Sequence, residues 1–524
     1  MQTSWLKRCV AVVACAIGVY VVNAAGPDVD WQAGVTLNTG SESLAPYYIA
    51  SLRGGTVTQQ HSTLLHAGVA HEMDTTRRLS WGAGVEVWGG WTSSSAYSQY
   101  YFNYLYPMSP LSASHDEHPA RVWVQQAWAE GKWRGVRLTL GAKHAASPLL
   151  TNDLTSGDLT RSGNARPMLG LAGGFVNFQT VPLTHGWLQV NGEVGYYKPG
   201  DDQWLEHHYN YYNHFITTGW WMNYKNFYFR SHPGKPLVAT VGMQAACQFG
   251  GTTVTYVNGT ATRRLEQNTN AEAFFKALIP GHGGAHQGDK VFYEGNHLGT
   301  WDVLLDYRLR SGAHVRAYCQ KPWEDGSGIG LRNGFDGLWG VEWRAAQPGW
   351  LTGAVLEYLD LTNQGGPIHW APADHESTII TTPVTGMDNY YNNYAFNGYQ
   401  NRGMAIGTPM TRSPLYNRDG HLRFDHTVVR GLHVAVKGRL SSQLRYRFMG
   451  SWRRSWGTLE QPVPHIDATS LMLEATYTPT RVTGLECTAM MAIDRGKLLG
   501  NNAGALVGIT YHGNFSASRK HKTP

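Results

Sequence analysis

Two stretches of the chain combine aromatic rings with amides and carboxylates, the mixture of side chains that suits sugars. Sugars present apolar C–H faces and rims of hydroxyl groups, so a site for them needs flat rings beside hydrogen-bonding groups. We therefore predict polysaccharide binding by Trp204, Tyr209, Tyr211, Tyr212, Trp220, Trp221, Tyr390, Tyr391, Asn392, Tyr394 and Arg402. The alternative is that these rings form an interfacial girdle or pack loops together, since Trp and Tyr are enriched at membrane interfaces.

Basic side chains offer a second kind of chemistry. Arg445 and Arg447 share one face of a strand-like run, which we interpret as the inner face of a barrel. Arginines there would attract an acidic polymer. The alternative is that they pair with carboxylates such as Glu474 or Glu486.

Metal and catalytic sites are not indicated. His282 and His286 lie in a Gly-rich stretch where spacing does not fix ligand geometry, and no set of Cys or carboxylates completes a site. There is no nucleophile elbow, Walker sequence or dinucleotide fingerprint. A hydrolase would need converging carboxylates, and the neighbours Glu324 and Asp325 would point to opposite faces of a strand. We expect no enzymatic activity, no metal and no cofactor.

The element that would position these residues is a β-strand with alternating faces. In the last run, Leu506 to Phe515, an apolar or small residue recurs at every second position from Val507 and the run ends on an aromatic ring. This is typical of the closing strand of an outer-membrane β-barrel, which the barrel-insertion machinery binds. Similar alternation, as in Leu79 to Trp91, recurs from near Thr63 onward.

Composition agrees with this interpretation. Charged residues make up 15% of the 524-residue chain, against roughly 25% in typical globular domains, and there are 61 Gly, 20 Trp and 28 Tyr. A barrel spreads its apolar residues over alternate positions, so it needs no long apolar run. A large secreted β-sandwich or propeller is the alternative. The formal net charge of +6 is too small and too scattered to indicate nucleic acid binding.

The N-terminus has the pattern of an export signal. Lys7 and Arg8 precede an apolar stretch, Cys9 to Val22, and small residues follow near Ala25. We predict a signal peptide at 1–25, an outer-membrane barrel at 26–515 and a short basic periplasmic tail at 516–524. Lipidation at Cys15 is the less favoured alternative, because the apolar run before it is short.

The alternating runs predict an all-β fold, a single antiparallel transmembrane barrel. With strands of about 9–11 residues, the chain has room for about 16–18 of them. Three intervals are too long for turns and too aromatic for linkers, so we expect them to be external loops: Pro199 to Pro236, Thr262 to Gly299 and Asn363 to Asp425. Asn270 to Leu278 is the one stretch that looks briefly helical.

Three sequence blocks stand out between the strand-like runs. The first is Ser-Gly-Asn-Ala-Arg-Pro at 162–167, which we interpret as an ordered loop entering a strand. The second is Gln-Lys-Pro-Trp-Glu-Asp-Gly-Ser-Gly at 320–328, followed by Asp-Gly-Leu-Trp-Gly at 336–340. The third is Tyr-Tyr-Asn-Asn-Tyr at 390–394, followed by Gly-Thr-Pro at 407–409.

In order and spacing, these blocks resemble the capsule assembly Wzi family, in the form found in Bacteroidetes-type bacteria. The resemblance covers roughly Ser156 to Pro414. It implies an outer-membrane barrel of about eighteen strands that binds capsular or exopolysaccharide at the cell surface, without catalysis or cofactor. The residues that carry it are Asn164, Arg166, Pro167, Trp323, Glu324, Asp325, Asp336 and Pro409.

One feature departs from the family pattern. Members from enterobacteria begin with a helical periplasmic bundle that plugs the barrel, whereas 26–75 here shows no sustained 3.6-residue periodicity. Whether the barrel is plugged, and by what, stays open at this point. The alternative function is a porin or channel for small solutes or oligosaccharides, since a barrel of this size can hold a pore.

Overall fold

The protein is an eighteen-stranded closed antiparallel β-barrel. The computed structural model describes residues 28–101, 109–117, 121–209, 214–257, 259–280, 294–324, 326–364, 369–370, 383–384 and 388–515. The predicted signal peptide and the predicted basic tail lie outside these residues. The barrel strands are β1 (Val29–Gly40), β2 (Ser62–His71), β3 (Leu79–Thr92), β4 (Val122–Trp133), β5 (Val136–Ala142), β6 (Leu169–Phe175), β7 (Leu188–Lys198), β8 (Trp221–Ser231), β9 (Leu237–Phe249), β10 (Asn296–Arg308), β11 (His314–Trp323), β12 (Gly337–Arg344), β13 (Gly353–Asp360), β14 (Val429–Arg439), β15 (Leu444–Gly457), β16 (Pro462–Tyr477), β17 (Leu485–Arg495) and β18 (Asn502–Phe515).

The strands pair in chain order, and the first strand closes the barrel against the last. In that closing pair Val29 lies opposite Phe515 and Gly40 opposite Gly504. Closure leaves no sheet edge with unpaired backbone groups, which is what a sheet needs in order to cross hydrocarbon. The predicted all-β barrel is confirmed, and the strand number lies at the upper end of the predicted range.

Each strand alternates between an outer and an inner face. In β18 the side chains of Val507, Ile509 and Phe515 are 46%, 46% and 61% exposed, whereas Leu506 is 3% exposed. The predicted alternation of this strand is therefore confirmed. Exposed apolar residues on the outer face form the band expected of a barrel that faces lipid.

The two ends of the barrel differ in the length of their connections. At one end the turns are short, and that between β4 and β5 consists only of Arg134 and Gly135. We call it the short-turn end. At the other end the chain makes long connections, at 41–61, 93–121, 143–168, 199–220, 250–295, 324–336 and 361–428.

The long connections hold the helices and small sheets. The described α-helices are α1 (Tyr47–Ala50), α2 (Asp202–His208), α3 (Ala271–Leu278) and α4 (Gly326–Ile329), with a 3₁₀ turn at Pro414–Tyr416. Short strands pair as Ser95–Tyr101 with Ser109–Glu117, Gly251–Val257 with Phe215–Thr218 and Thr260–Gln267, His369–Trp370 with Pro383–Val384, and Gln400–Asn401 with Met404–Ala405. In the described part of the chain, no helix is long and apolar enough to cross a membrane.

Three sequence predictions need correction. The interval Pro199 to Pro236, predicted to be an external loop, contains the barrel strand β8, and the interval Thr262 to Gly299 includes the beginning of β10. The strand-like run Arg439 to Arg447 is divided by a turn, because β14 ends at Arg439 and β15 begins at Leu444. The helix predicted at Asn270 to Leu278 is confirmed as α3, whose N-terminal amide Ala273 N donates to the Asn270 side chain over 2.9 Å.

Helix α3 explains why β8 was missed. The helix packs on the outer wall of the barrel, where Phe274 lies 5.4 Å from the Trp221 ring and Lys225 Nζ donates to Ala277 O over 2.9 Å. The outer face of β8 therefore carries a polar residue, Lys225, where it meets the helix, whereas Phe227 and Phe229 farther along the same face are exposed. Such a strand does not show the apolar alternation of a lipid-facing one.

Candidate functional site

The lumen is occupied by two connections that fold back into the barrel, residues 44–61 and 147–166, which we call the plug. In the first, helix α1 starts directly after Pro46, whose fixed φ suits a helix start. All four of its residues are buried. Its first amide, Tyr47 N, donates to Asp494 Oδ2 over 2.8 Å, and the Tyr48 hydroxyl lies 3.0 Å from His433 Nδ1. The segment is thus bonded to β17 and β14.

The second plug segment is centred on Asp158, whose side chain is 1% exposed. Its carboxylate accepts hydrogen bonds from Gln244 Nε2 in β9, at 2.9 and 3.1 Å, and from Gln320 Nε2 in β11, at 2.8 Å. Ser147 Oγ and the backbone amide of Thr160 donate to the same carboxylate at 2.6 and 2.9 Å. Within the described residues it has no cationic partner, so its charge is balanced by hydrogen-bond donors alone.

Further contacts hold this segment against the wall. Glu357 of β13 accepts from Thr155 Oγ1 and from Ser156 N, both at 2.6 Å, and from the Tyr318 hydroxyl at 2.5 Å. On the adjacent strands Arg316 pairs with Glu342 at 2.6 Å. These bonds reach strands on several sides of the lumen, so the chain's own loops fill the barrel at this level.

The three sequence blocks meet at the plug, although they lie far apart in the chain. Asn164 Nδ2 donates to Ala405 O over 3.0 Å, and its Oδ1 accepts from Leu52 N at 3.1 Å. Ser162 Oγ donates to Gly407 O, in the third block, over 2.7 Å. Just before the first block, Gly157 has a φ of +111°, and a Cβ there would lie 2.6 Å from Pro409 Cδ. The first block therefore forms an ordered loop before β6, as predicted, and it seats the third block directly.

Residues 388–428 cover the plug at the mouth of the barrel, and we call them the cap. The second and third blocks join here, since Glu324 Oε1 accepts from Tyr391 N at 2.7 Å. The Tyr390 hydroxyl donates to Asp336 Oδ2 over 3.2 Å. Burial raises the pKa of Asp336 to about 7. Trp323 is 5% exposed, and Asp325 lies outside the described residues.

The residues predicted to bind sugar differ in how exposed they are. Tyr209, Trp220, Tyr390 and Tyr391 are buried in the cap and its supports, where they pack. Trp204, Trp221, Asn392 and Arg402 are partly exposed, and Tyr394 is 47% exposed. Tyr211 and Tyr212 lie outside the described residues. Of these partly exposed and exposed residues, Trp221 lies against α3 on the outer wall, and the others are open to solvent at the long-connection end.

Arg166 has no counter-ion in the described part of the chain. Its guanidinium carbon lies 5.0 Å from the ring centre of Trp123, a buried residue at the top of β4. Its Nε is buried without a hydrogen-bond acceptor. Burial and the nearby charge of Arg402 lower the pKa of Arg166 to about 9. An anion beside this side chain would relieve that cost.

The lumenal arginines named from the sequence are paired. Arg445 lies 2.6 Å from Glu486, and Arg447 lies 2.9 Å from Glu474. The plug's Arg53 shares Glu474 at 3.1 Å. The structural alternative for Arg445 and Arg447 is therefore confirmed.

Polar space remains between the plug and one side of the wall. A cavity of about 400 Å³ is bordered by Arg53, Glu86, Trp88, His144, Asn152 and Asp158. A second, of about 320 Å³, is also bordered by Glu86, together with Asp30, Gln126, Trp128, Lys143 and His512 toward the short-turn end.

No sequence pattern pointed to Asp158 or to the wall residues that hold the plug. Gln244, Gln320, Glu357 and His433 are buried on inner strand faces. The available signal was the recurrence of uncharged polar residues on one face of a strand, as at every fourth position in Thr240, Gln244 and Gln248 of β9. That pattern marks an inner face without showing what the face contacts.

Comparison with known proteins places the fold. No protein-family model and no curated protein matches the chain. Wzi of Escherichia coli, described as a carbohydrate-binding outer-membrane β-barrel involved in group 1 capsule assembly, is 14% identical, with a TM-score of 0.51 over 93% of this chain and 84% of that chain. This likeness shows an outer-membrane type of barrel and nothing finer.

Two other solved barrels align over similar lengths. OccAB2 of Acinetobacter baumannii is 9% identical, covering 94% of this chain and 98% of that chain with a TM-score of 0.45. OprD of Pseudomonas aeruginosa is 8% identical, covering 94% and 95% with a TM-score of 0.43. These TM-scores are too low to support an argument.

Proposed function

We propose that this protein is a surface barrel of the outer membrane that binds capsular or exopolysaccharide and helps to anchor or assemble the capsule layer. The binding is lectin-like and non-catalytic. The N-terminal signal peptide is removed on export, and the long connections face the cell exterior. Wzi, whose barrel this fold resembles, is described as a carbohydrate-binding barrel involved in capsule assembly, which agrees with this proposal.

The observation that carries the proposal is the plug. A general channel needs a continuous aqueous lumen, whereas here buried carboxylates such as Asp158 and Glu357 bond the chain's own loops to the wall. Buried hydrogen bonds to carboxylates are strong, so a network of them is rigid and costly to break. A rigid, filled barrel suits a platform that holds a polymer at its mouth.

The mouth offers suitable chemistry for such a polymer. Tyr394 is an exposed ring beside the amides of Asn392 and Asn393 on the cap. Arg402 and Arg166 add positive charge at the same end, which would favour an acidic polysaccharide. These residues are the contact set that we propose.

Deletion of the gene, followed by complementation, tests the proposal. Cells without the protein should synthesise a normal amount of polymer but release it into the medium, and the wild-type gene should restore the attached layer. An attached layer of normal thickness in the deletion strain would show that the proposal is wrong. Loss of synthesis would show the same, because it would place the protein in production instead of attachment.

A channel for small solutes or oligosaccharides is the second candidate function. The two polar cavities of about 400 and 320 Å³ share Glu86 and give a partial route along one side of the lumen. Purified protein in a planar bilayer distinguishes the two functions. A steady conductance would favour the channel, and a silent barrel would favour the platform.

A further inference from the structure

At the short-turn end, two arginines flank an exposed tryptophan at the edge of the apolar band. Trp133 is the last residue of β4 and is 57% exposed. The guanidinium carbon of Arg134 lies 4.8 Å from its ring centre, and that of Arg78 lies 5.8 Å from it. Both distances are within the range of cation–π attraction. We call Arg78, Trp133 and Arg134 the rim site.

Backbone geometry holds the rim site together. Arg134 has a φ of +54° in the tight turn between β4 and β5, and its amide donates to Arg78 O over 2.6 Å. Leu79 and Trp133 are register partners across β3 and β4. The two arginines therefore come from different hairpins but are fixed on one ring by the sheet itself.

In the described part of the chain, no carboxylate neutralises the charges of the rim site. The neighbouring Arg77 pairs with Asp74 at 3.1 Å. Among the residues that the structure describes, neither Arg78 nor Arg134 has a carboxylate within ion-pair distance, and both are exposed. Two adjacent guanidinium groups on one indole repel each other unless an anion lies between them.

The surface beside the rim site is apolar. Leu79, Val136 and Leu138 are 74%, 52% and 56% exposed on the outer face of β3 and β5. This combination of an interfacial tryptophan, cations toward water and aliphatic side chains toward the band matches a phospholipid, which has a phosphate above two acyl chains.

A second place on the same end repeats the arrangement. Lys235 Nζ lies 5.1 Å from the ring centre of Trp187, which is 59% exposed, and the His232 ring packs against the same indole at 5.8 Å. The basic residues lie in the turn between β8 and β9, while Trp187 directly precedes β7. Basic side chains over an exposed indole thus recur at this end.

We infer that the rim site binds the headgroup phosphate of an anionic phospholipid in the membrane leaflet at the short-turn end. Arg78 and Arg134 hold the phosphate oxygens through charge-assisted hydrogen bonds, for which the planar guanidinium is well suited. The acyl chains lie along Leu79, Val136 and Leu138. This inference rests on the barrel's position in a membrane and is independent of the polysaccharide that the mouth binds.

Lipid retention by the full-length protein in a neutral detergent tests the inference. The probes are phosphatidylglycerol and phosphatidylcholine with the same chains, counted on the intact protein by native mass spectrometry. The variant is R78Q/R134N, because Asn tolerates the positive φ at 134. Retention of phosphatidylglycerol should fall about thirtyfold, since each basic residue near an anionic surface contributes about a fivefold factor.

The matched control is R77Q, which removes a neighbouring arginine that already has a carboxylate partner, and it should retain phosphatidylglycerol like the wild type. If the double variant does not fold, the single variant R78Q takes its place. R78Q leaves the turn intact, and its retention of phosphatidylglycerol should fall about fivefold. Unchanged phosphatidylglycerol binding in R78Q and R78Q/R134N would overturn the inference. If the wild type retained phosphatidylcholine as well as phosphatidylglycerol, the inference would be overturned too, because the site would then not distinguish an anionic headgroup from a zwitterionic one.

Discussion

Asp158 and Gln244 join the plug to the barrel wall through a single amide group. Gln244 Nε2 lies 2.9 Å from one carboxylate oxygen of Asp158 and 3.1 Å from the other, and it also lies 3.0 Å from Asp302 Oδ2. The residues are 86 positions apart in the chain. One wall amide therefore serves two carboxylates, one from the plug and one from β10.

Replacing Asp158 by Asn should loosen the plug. The new amide would present hydrogens to the amide donors of Gln244 and Gln320, so at least one buried donor would lose its acceptor. The expected loss in the free energy of unfolding is about 2–4 kcal/mol. Thermal unfolding followed by circular dichroism measures the loss, and planar-bilayer recording should show more frequent conductance events than in the wild type.

Asp153→Asn is the control for that variant. Asp153 lies in the same connection, but its side chain is 50% exposed and pairs with Lys437 at 2.6 Å. Exposed pairs contribute little, so this variant should change stability by less than about 1 kcal/mol. If D158N and D153N unfolded at the same temperature, Asp158 would not anchor the plug.

The stability of the cap should fall as the pH rises through about 7. Burial raises the pKa of Asp336 to about 7, well above its ordinary value, so the folded state holds the neutral acid more strongly than the unfolded state does. The resulting stability is full below about pH 4 and is lost as the pH rises through about 7. Asp201, next to α2, is raised to about 7 for the same reason.

The variant D336N isolates this effect. Asn is neutral at every pH, so the variant should lose less stability than the wild type between pH 5 and pH 8, by roughly 2–4 kcal/mol. Burial lowers the pKa of His214 to about 4, so this residue reduces stability as the pH falls toward 4. The wild type and D336N share that effect, so it does not change the difference between them. Thermal midpoints at fixed heating rate give the comparison, and parallel pH profiles would contradict it.

Variants of Tyr391 and Tyr394 should affect different properties, stability in the first case and ligand binding in the second. Tyr391 is 5% exposed, and its hydroxyl donates to Leu159 O over 2.5 Å and accepts from Thr408 N at 3.3 Å. Y391F should therefore cost about 1–3 kcal/mol of stability. Y394A removes an exposed ring, so it should leave stability within about 0.5 kcal/mol while weakening polysaccharide binding. Thermal unfolding and a capsule pull-down give the two measurements, and the reverse pattern would refute the assignment.

The barrel could be predicted from the sequence because a lipid-facing wall imposes a period of two that is visible locally. The pattern fails where something other than lipid covers the wall. In β8 the outward Lys225 donates to a carbonyl of α3, so its polarity indicates a helix and not a loop. Strand β1 pairs with β18, which lies at the opposite end of the chain. The sequence around β1 does not reveal that pairing.

The candidate site was less predictable, since its contacts are long-range. The family resemblance names Asn164 and Pro409, but Asn164 bonds Ala405 and Pro409 packs against Gly157, and both contacts depend on how two loops fold into the lumen. Aromatic composition alone does not distinguish Tyr391, a packed ring, from Tyr394, an exposed one. Composition gives the chemistry of a site, and burial decides which of its residues a ligand can reach.

Arg166 provides the sharpest test of an acidic ligand at the mouth. R166M keeps the aliphatic stem over Trp123 but removes a buried charge that has no counter-ion among the described residues, so stability should be unchanged or higher. Binding of trigalacturonate to the purified protein should weaken by about ten- to a hundredfold, the contribution of a charge-assisted hydrogen bond, while any binding of neutral maltotriose stays the same. Isothermal titration calorimetry measures both.

The control for this variant is R418M, which removes a charge at the same end of the barrel. Arg418 is partly exposed, lies 5.2 Å from the Tyr97 ring centre, and donates to the Ser43 side chain and to Ala96 O, so both terminal nitrogens of its guanidinium already have acceptors in the protein. Its loss should change trigalacturonate binding less than twofold. Equal weakening in both variants would mean that the mouth attracts acids by net charge alone. Selective weakening in R166M would place the acidic group of the polymer beside the indole of Trp123, where Arg166 has no carboxylate partner among the described residues.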